Sequence, residues 1–285
     1  MNHYPHFEGC TFLFTNFKQA TLTGAHFERA ILRFTDFEQA RLASAHFEGT
    51  DFHEAHFEGA NLTETFFDSM TRLYGVVLNN NEHGALSLAD VHWGDVNVAM
   101  IDWSSISELG DERIAKQQKT ADGKQEDNTM QLAGYLKAVR AYRQLAVVLR
   151  NQGLNEEAAR FTYRAQMLQR TVFKLQKKFW QFLFSGFLDF LAGYGYRWWR
   201  SFRTYLLVIT AFAITYFIIG RTVGPALSPV GSVVFSVTSF HGRGFFPGGI
   251  KLDDPLTIVA AFEAFIGLLI EVTFIATLTQ RLFGK

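Results

Sequence analysis

The sequence predicts a mixed architecture: a four-sided β-solenoid, a helical hairpin and an all-α membrane domain with a re-entrant helix. Three observations predict it. Apolar residues recur every five positions from Phe7 to Phe67, the period then shortens to three-to-four, and the last third carries two long apolar runs. A chain of 285 residues is long enough for two or three such units. Phenylalanine is the compositional anomaly, at 30 residues, and a net charge of zero gives no hint of nucleic acid as a partner.

The repeat comes first in the chain. Phe7, Phe12, Phe17, Leu22, Phe27, Leu32, Phe37, Leu42, Phe47, Phe52, Phe57, Leu62 and Phe67 follow at an unbroken spacing of five. Two positions before each stands a small residue, among them Cys10, Thr15, Ala20, Ala25, Ala45 and Thr65; only Pro5 departs. A period of five fits neither a helix nor a flat strand. It fits a solenoid in which each pentapeptide forms one side. The large and the small residue point inward, and four sides close a coil of about 20 residues stacked at about 4.8 Å. The run breaks at 68–83, read as an insertion or irregular coil. It resumes with Leu86, Val91, Val96, Ile101 and Ile106 as centres and Gly84, Ala89, Gly94, Ala99 and Ser104 as their small partners.

"ANL" at Ala60–Leu62 and "AHFEG" at Ala45–Gly49 and Ala55–Gly59 carry a resemblance to the pentapeptide-repeat family. That resemblance implies a right-handed quadrilateral β-helix over residues 1–106. Some members of the family resemble an acidic duplex and bind topoisomerases, but they are free-standing rods with longer acidic faces. The outer faces here hold His26, His46, His53, His56, His83 and His92 among glutamates. His46 and His56 are ten residues apart, hence on opposite sides of one coil, which argues against shared ligation. The expectation is a solvated face, no metal and no cofactor, open to a cytoplasmic protein or ligand.

Residues 107–128 are charged and nearly free of large apolar side chains, and read as a flexible linker. In 129–170 the spacing of Leu132, Tyr135, Leu136, Val139, Tyr142, Leu145 and Leu149 is helical. Gly153 reads as a C-cap and Asn155 as the N-cap of a second helix, giving a hairpin similar to one tetratricopeptide unit. It serves as a spacer, docks the rod on the membrane part, or binds a subunit neighbour. Residues 171–201 interleave Lys174, Lys177, Lys178, Arg197 and Arg200 with Trp180, Trp198 and Trp199. Together with Arg203 just beyond, this is the pattern of an amphipathic helix at a bilayer interface.

The remainder, 202–285, contains Tyr205–Gly220 without a charge and Leu256–Leu282 interrupted by Glu263 and Glu271. The first, with the flanking Phe202, approaches the roughly 20 residues that cross a bilayer, and the second exceeds it. Between them Pro229–Ser239 is a half-span, followed by a glycine-rich loop, so 229–249 reads as a re-entrant segment. This order resembles the two-span pore domain of tetrameric cation channels, in which four copies surround one pore and loop carbonyls replace the ion's hydration shell. A potassium filter reads T-V-G-Y-G; here Phe240, His241, Gly242, Arg243 and Gly244 align by two glycines, and a slip places Gly244-Phe245 at the glycine-aromatic step. In either register the potassium pattern is broken. Four copies of Arg243 facing the pore would favour anions; turned behind the loop, the side chain would pair with Glu263 or Asp253. His241 is either a pH-sensitive group or a structural one.

Glu271, one turn past Gly267, costs on the order of 3 kcal/mol in lipid unless it meets water or a partner. It reads as a pore-lining ring with Gly267 as a hinge. Glu263, two turns earlier, lines water with it or faces the re-entrant helix; the alternative for both glutamates is a buried ion-pair partner. Arginines before the first span, and Arg281 and Lys285 after the second, place rod, hairpin and both termini in the cytoplasm. The lone cysteine agrees with a reducing compartment, and no secretory signal opens the chain. Rods of this kind fused to two-span pores are a bacterial inner-membrane arrangement. The resemblance therefore implies a homotetrameric, cation-conducting channel. The alternatives are an anion pore lined by Arg243 and a sealed, membrane-anchored binding scaffold. No nucleophile motif, phosphate loop or ligand cluster speaks for an enzyme.

Overall fold

Most corners of the N-terminal part are made the same way. The carbonyl of the centre accepts from the amide three residues on, as in Cys10 N to Phe7 O at 3.1 Å and Ala45 N to Leu42 O at 3.0 Å. The residue between, two after the centre, is left-handed: Gly9, Phe14, Gln19, Gly24, Arg29 and Phe34 all have φ between 54° and 67°. Positive φ at that position is the mark of a type II turn. The computed structural model describes residues 4–78, 84–117, 125–193, 198–222, 226–242 and 254–283.

Parallel bridges join His6 to His26, Thr11 to Ile31, Asn16 to Asp36 and Thr21 to Arg41, twenty residues apart on four sides. Among the described residues these contacts are isolated bridges and no extended strand forms. Inside, the phenylalanines form columns. Phe7, Phe27, Phe47 and Phe67 stack at 4.9, 5.6 and 5.5 Å between ring centroids. At two of the small positions a threonine hydroxyl donates to a carbonyl of the coil before, Thr35 to Phe12 at 2.9 Å and Thr50 to Phe27 at 2.7 Å, whereas Thr65 donates to Leu62 O of its own coil at 2.8 Å. These buried hydroxyls are thereby satisfied.

The resumed register differs from the expectation by two residues. Ser87 bridges to Asn61 and His92 to Phe66, which makes Leu88 and Trp93 the centres; Trp93 stacks on Phe67 at 5.8 Å. Leu86 and Val91 occupy the position held earlier by alanine and threonine, while Gly94, Ala99 and Ser104 are exposed. Apolar side chains at both inward positions made the two registers indistinguishable by spacing. Residues 71–78 also continue the coil, since Arg72 bridges to Asp51 and Val77 to His56. Two short 3-10 turns, Val98–Met100 and Trp103–Ser105, finish it.

The stretch read as a linker contains α1, Gly110–Gln117, and the helical hairpin is α2, Gln125–Asn151, with α3, Asn155–Leu175. Gly153 ends α2 at φ 81°, as expected, but Leu154 rather than Asn155 is the N-cap of α3, without a side-chain bond. Residues 4–182 form one compact unit. Its joint is polar. Asp111 accepts from Leu88 N at 2.7 Å, Arg140 donates to Asp90 at 3.1 Å, and Gln152 accepts from Val98 N at 2.8 Å and donates to Val96 O at 2.6 Å. Gly110 sits so close to the last coil that a Cβ would lie 2.3 Å from Ala85 O. The hairpin thus covers the open edge that a stack of coils would otherwise leave.

The expected single helix over 171–201 is three pieces. α3 stops where Lys177 turns to φ 57°, α4 runs Phe179–Ala192, and Gly193 at φ 52° precedes α5, Trp198–Thr222. α4 exposes Phe179, Trp180, Phe184, Phe187 and Phe190. The second unit, from Leu183 on, adds α6, Pro229–Phe240, and α7, Pro255–Phe283.

Candidate functional site

The C-terminal unit is built around α6. Ser228 caps it, accepting from Gly231 N at 3.0 Å, and Pro229 takes the first helical position. Twelve residues rise about 18 Å, half of a bilayer core of about 30 Å. Phe235 packs beside Tyr216, Leu256 and Ala260, whereas Phe240 packs beside Ile209 and Ile270. Those pairings make α5 and α7 antiparallel and set the end of α6 level with the middle of α7. Among the described residues, α5 and α7 contain the two stretches long and apolar enough to cross a membrane, Phe202–Thr222 and Pro255–Ala276.

Gly267 is a contact point. A Cβ there would stand 2.1 Å from the Phe240 carbonyl oxygen, so only glycine admits the end of α6 this close to α7. The expectation of a hinge is replaced by a close backbone approach. Glu263 is likewise removed from open water. It is fully buried, accepts from the Tyr216 hydroxyl at 2.6 Å, and lies 2.5 Å from the Ser236 hydroxyl, itself 3.0 Å from the Ile209 carbonyl. The carboxyl therefore fastens α5, α6 and α7 together, which corrects its reading as a pore-lining group. Of the expected alternatives, the one facing the re-entrant helix is observed.

Glu271 is half-exposed, with Oε1 3.5 Å from His241 Nε2. His241 Nδ1 lies 2.8 Å from the Val237 carbonyl, which can only accept, so Nδ1 carries a proton. Tyr205 approaches edge-on, 4.9 Å from Phe240 and 6.0 Å from His241. Gly242, expected in a filter, ends α6 with φ 64° and donates to Ser239 O at 2.9 Å. Arg243, Gly244 and Phe245 lie outside the described residues, as do Asp253 and Arg197. Trp198 and Trp199 open α5. Arg200 donates to Asp189 Oδ1 on α4 at 3.0 Å, and Arg203 is exposed. The aliphatic face of α6, Val230, Val233, Val234 and Val237, is exposed among the described residues, as are Leu206, Leu207, Phe262, Phe265 and Leu268.

Tyr216 and Ser236 were not singled out by the sequence. Each stands in an apolar run where a hydroxyl has no periodic signature; the buried carboxylate that needs them was the available signal. Among the described residues, trios of histidine and carboxylate close enough to share an ion occur on the rod, not around α6.

Comparison with known proteins identifies a pentapeptide repeat region over residues 3–74. No curated protein matches the chain significantly. Among solved structures, a pentapeptide repeat protein from the Arabidopsis thaliana thylakoid lumen is 24% identical, with 42% of this chain and 74% of that one covered and a TM-score of 0.25. Rfr23 from the cyanobacterium Cyanothece 51142 is 24% identical over 30% of this chain and 55% of its own length, with a TM-score of 0.20. HetL from Nostoc sp. strain PCC 7120 is 14% identical over 32% and 52%, with a TM-score of 0.13. The chain thus spans about half the length of the two cyanobacterial proteins.

Proposed function

We propose that this chain, with a pentapeptide repeat region at its N-terminus and two helices able to span a bilayer, is a homotetrameric ion channel of potassium-channel-like architecture. The observation that carries the reading is α6. A capped half-span helix ends at mid-depth of α7, and a bilayer tolerates a chain end there only against protein or water. Four copies supply the cover that Val233, Val234, Val237 and the outer faces of α5 and α7 lack, with lipid taking the rest. Glu271 and His241 are the open polar pair at the inner end of α6, and a ring of four carboxylates selects cations. The filter departs from the potassium pattern, so the permeant cation is not restricted to potassium. The rod is the sensor or assembly domain, in the cytoplasm of a bacterial cell, and the chain catalyses no reaction.

Purified protein in planar bilayers tests this. The reversal potential in asymmetric salt should move toward the cation equilibrium value, and Glu271→Gln should lower cation preference. A reversal potential at the anion value transfers selectivity to Arg243. Absence of current across voltage and pH, or a monomer on cross-linking, overturns the channel in favour of a membrane-anchored binding scaffold.

A further inference from the structure

The histidines of the rod are arranged by its coil length. The tripeptide His-Phe-Glu occurs at residues 6–8, 26–28 and 46–48, and these positions are one coil apart. Parallel bridges pair His6 with His26 and His26 with His46, so the backbone fixes the alignment. The imidazoles stack at 4.7 Å in both steps, with interplanar angles of 2° and 5°. Each Nδ1 lies beside Oε1 of the glutamate two residues on: 2.7 Å for His6 and Glu8, 2.9 Å for His26 and Glu28, 3.4 Å for His46 and Glu48.

We propose that His26, Glu28 and His46 form a binding site for a divalent first-row transition-metal ion, and that His6, Glu8 and His26 repeat it one coil earlier. In each trio the ligand atoms already lie within 4.8 Å of one another. A second observation fits a cation: Oε2 of Glu28, of Glu48 and of Glu58 are buried without a hydrogen-bond partner among the described residues, and beside Glu28 and Glu48, unlike Glu58, two imidazoles are stacked. A buried, unpaired carboxylate oxygen is costly, and an ion on the same carboxylate relieves it. The His26 and His46 side chains keep 26% and 31% of their surface, which leaves an entry path and room for coordinated water. Metal–nitrogen distances of about 2.1 Å draw the two coordinating nitrogens together and splay the rings out of their stack. Tilting about the side-chain bonds achieves this on an exposed face without moving the backbone.

Two imidazoles with one carboxylate suit zinc, nickel or cobalt; magnesium and calcium take all-oxygen shells. The rod contains its own control. His56 also pairs with its glutamate, Glu58, at 3.1 Å, but its neighbours in the coils on either side are Asp36 and Val77, so no second imidazole is available. The ten-residue spacing of His46 and His56 does place them on different sides, as the sequence reading held. The twenty-residue spacing is the one that stacks.

The site is independent of whether the C-terminal unit conducts. Isothermal titration of the full chain in detergent micelles with zinc, nickel and calcium tests it. Zinc and nickel should bind and calcium should not. Loss of even outer-shell partners weakens metal sites about 10–100-fold, so His26→Asn with His46→Asn should cost about a hundredfold or more. His56→Asn should leave zinc affinity unchanged. Equal zinc affinity in the double variant, or calcium binding as tight as zinc, overturns the proposal. Should the double variant lose its far-ultraviolet circular dichroism signal, Glu28→Gln replaces it; undiminished zinc affinity there also overturns the site.

Discussion

Glu112 is where α1 is tied most densely to the helical hairpin, and its replacement by glutamine gives a sharp test. The side chain is 1% exposed and accepts from Arg164 twice, at 2.8 and 2.6 Å, from Tyr142 at 2.8 Å and from Lys116 at 2.7 Å. Burial alone would raise its pKa; the bonds from Arg164, Lys116 and Tyr142 outweigh that and hold it below the ordinary carboxylate range. Breaking a buried ion pair costs about 3–5 kcal/mol. Arg164 and Lys116 retain 39% and 46% of their side-chain surface, so once abandoned they turn to water, and glutamine still accepts from Tyr142. The expected loss is therefore at or below the low end of that range, about 2–3 kcal/mol. For a unit of this size each kcal/mol lowers Tm by about 2–4 °C, giving a drop of about 4–12 °C.

Thermal melts of the intact chain in micelles would measure this loss, and faster hydrogen exchange across residues 84–117 would locate it. The dependence on pH has a definite sign. A depressed carboxyl contributes fully above its unfolded value of about 4.3 and loses that contribution as pH falls through the folded one. The gap between wild type and Glu112→Gln should be constant from neutrality down to mildly acid pH and close in stronger acid. A difference under about 0.5 kcal/mol, the range of ordinary surface substitutions, would refute the reasoning.

Asp111, next door, should behave oppositely. Burial raises its pKa against the Leu88 amide, so its contribution is complete at low pH and lost as pH rises; Asp111→Asn should be neutral or stabilising at pH 7 by urea denaturation. Phe47→Ala removes a fully buried ring stacked on two others and should cost about 3–5 kcal/mol, against under about 0.5 kcal/mol for the exposed Phe14→Ala, by the same assay. Gly267→Ala drives a methyl into the Phe240 carbonyl and should destabilise the C-terminal unit by about 1–3 kcal/mol or more; an unchanged melting temperature would mean α6 does not approach α7 there. Tyr216→Phe strips a donor from Glu263 and should cost about 1–3 kcal/mol, read as a lower Tm in micelles.

The regular coils were legible because a five-residue period has no competitor among helices and strands. The left-handed corners carried a weaker mark, with glycine at residues 9, 24, 49 and 59, and were not read. The slipped register after Leu86 was hidden by apolar residues at both inward positions. Asp111 and Glu112 misled for a physical reason. Charge density reads as disorder when the partners are distant in sequence, and Leu88, Tyr142 and Arg164 are all remote. The half-span α6 was visible from its short apolar length and the glycine-rich loop after it. What Glu263 and Gly267 do was not, because spacing along α7 says which residues share a face but not what lies opposite.

Because each coil touches only the one above and the one below, the ladder from Phe7 to Phe67 can be lengthened by whole turns without disturbing Leu88, Asp111 or Glu112. Twenty residues spliced in would add one rung of about 4.8 Å. The reach of this arm and the attachment at its base are separate variables, so selection can tune the first while leaving the second untouched.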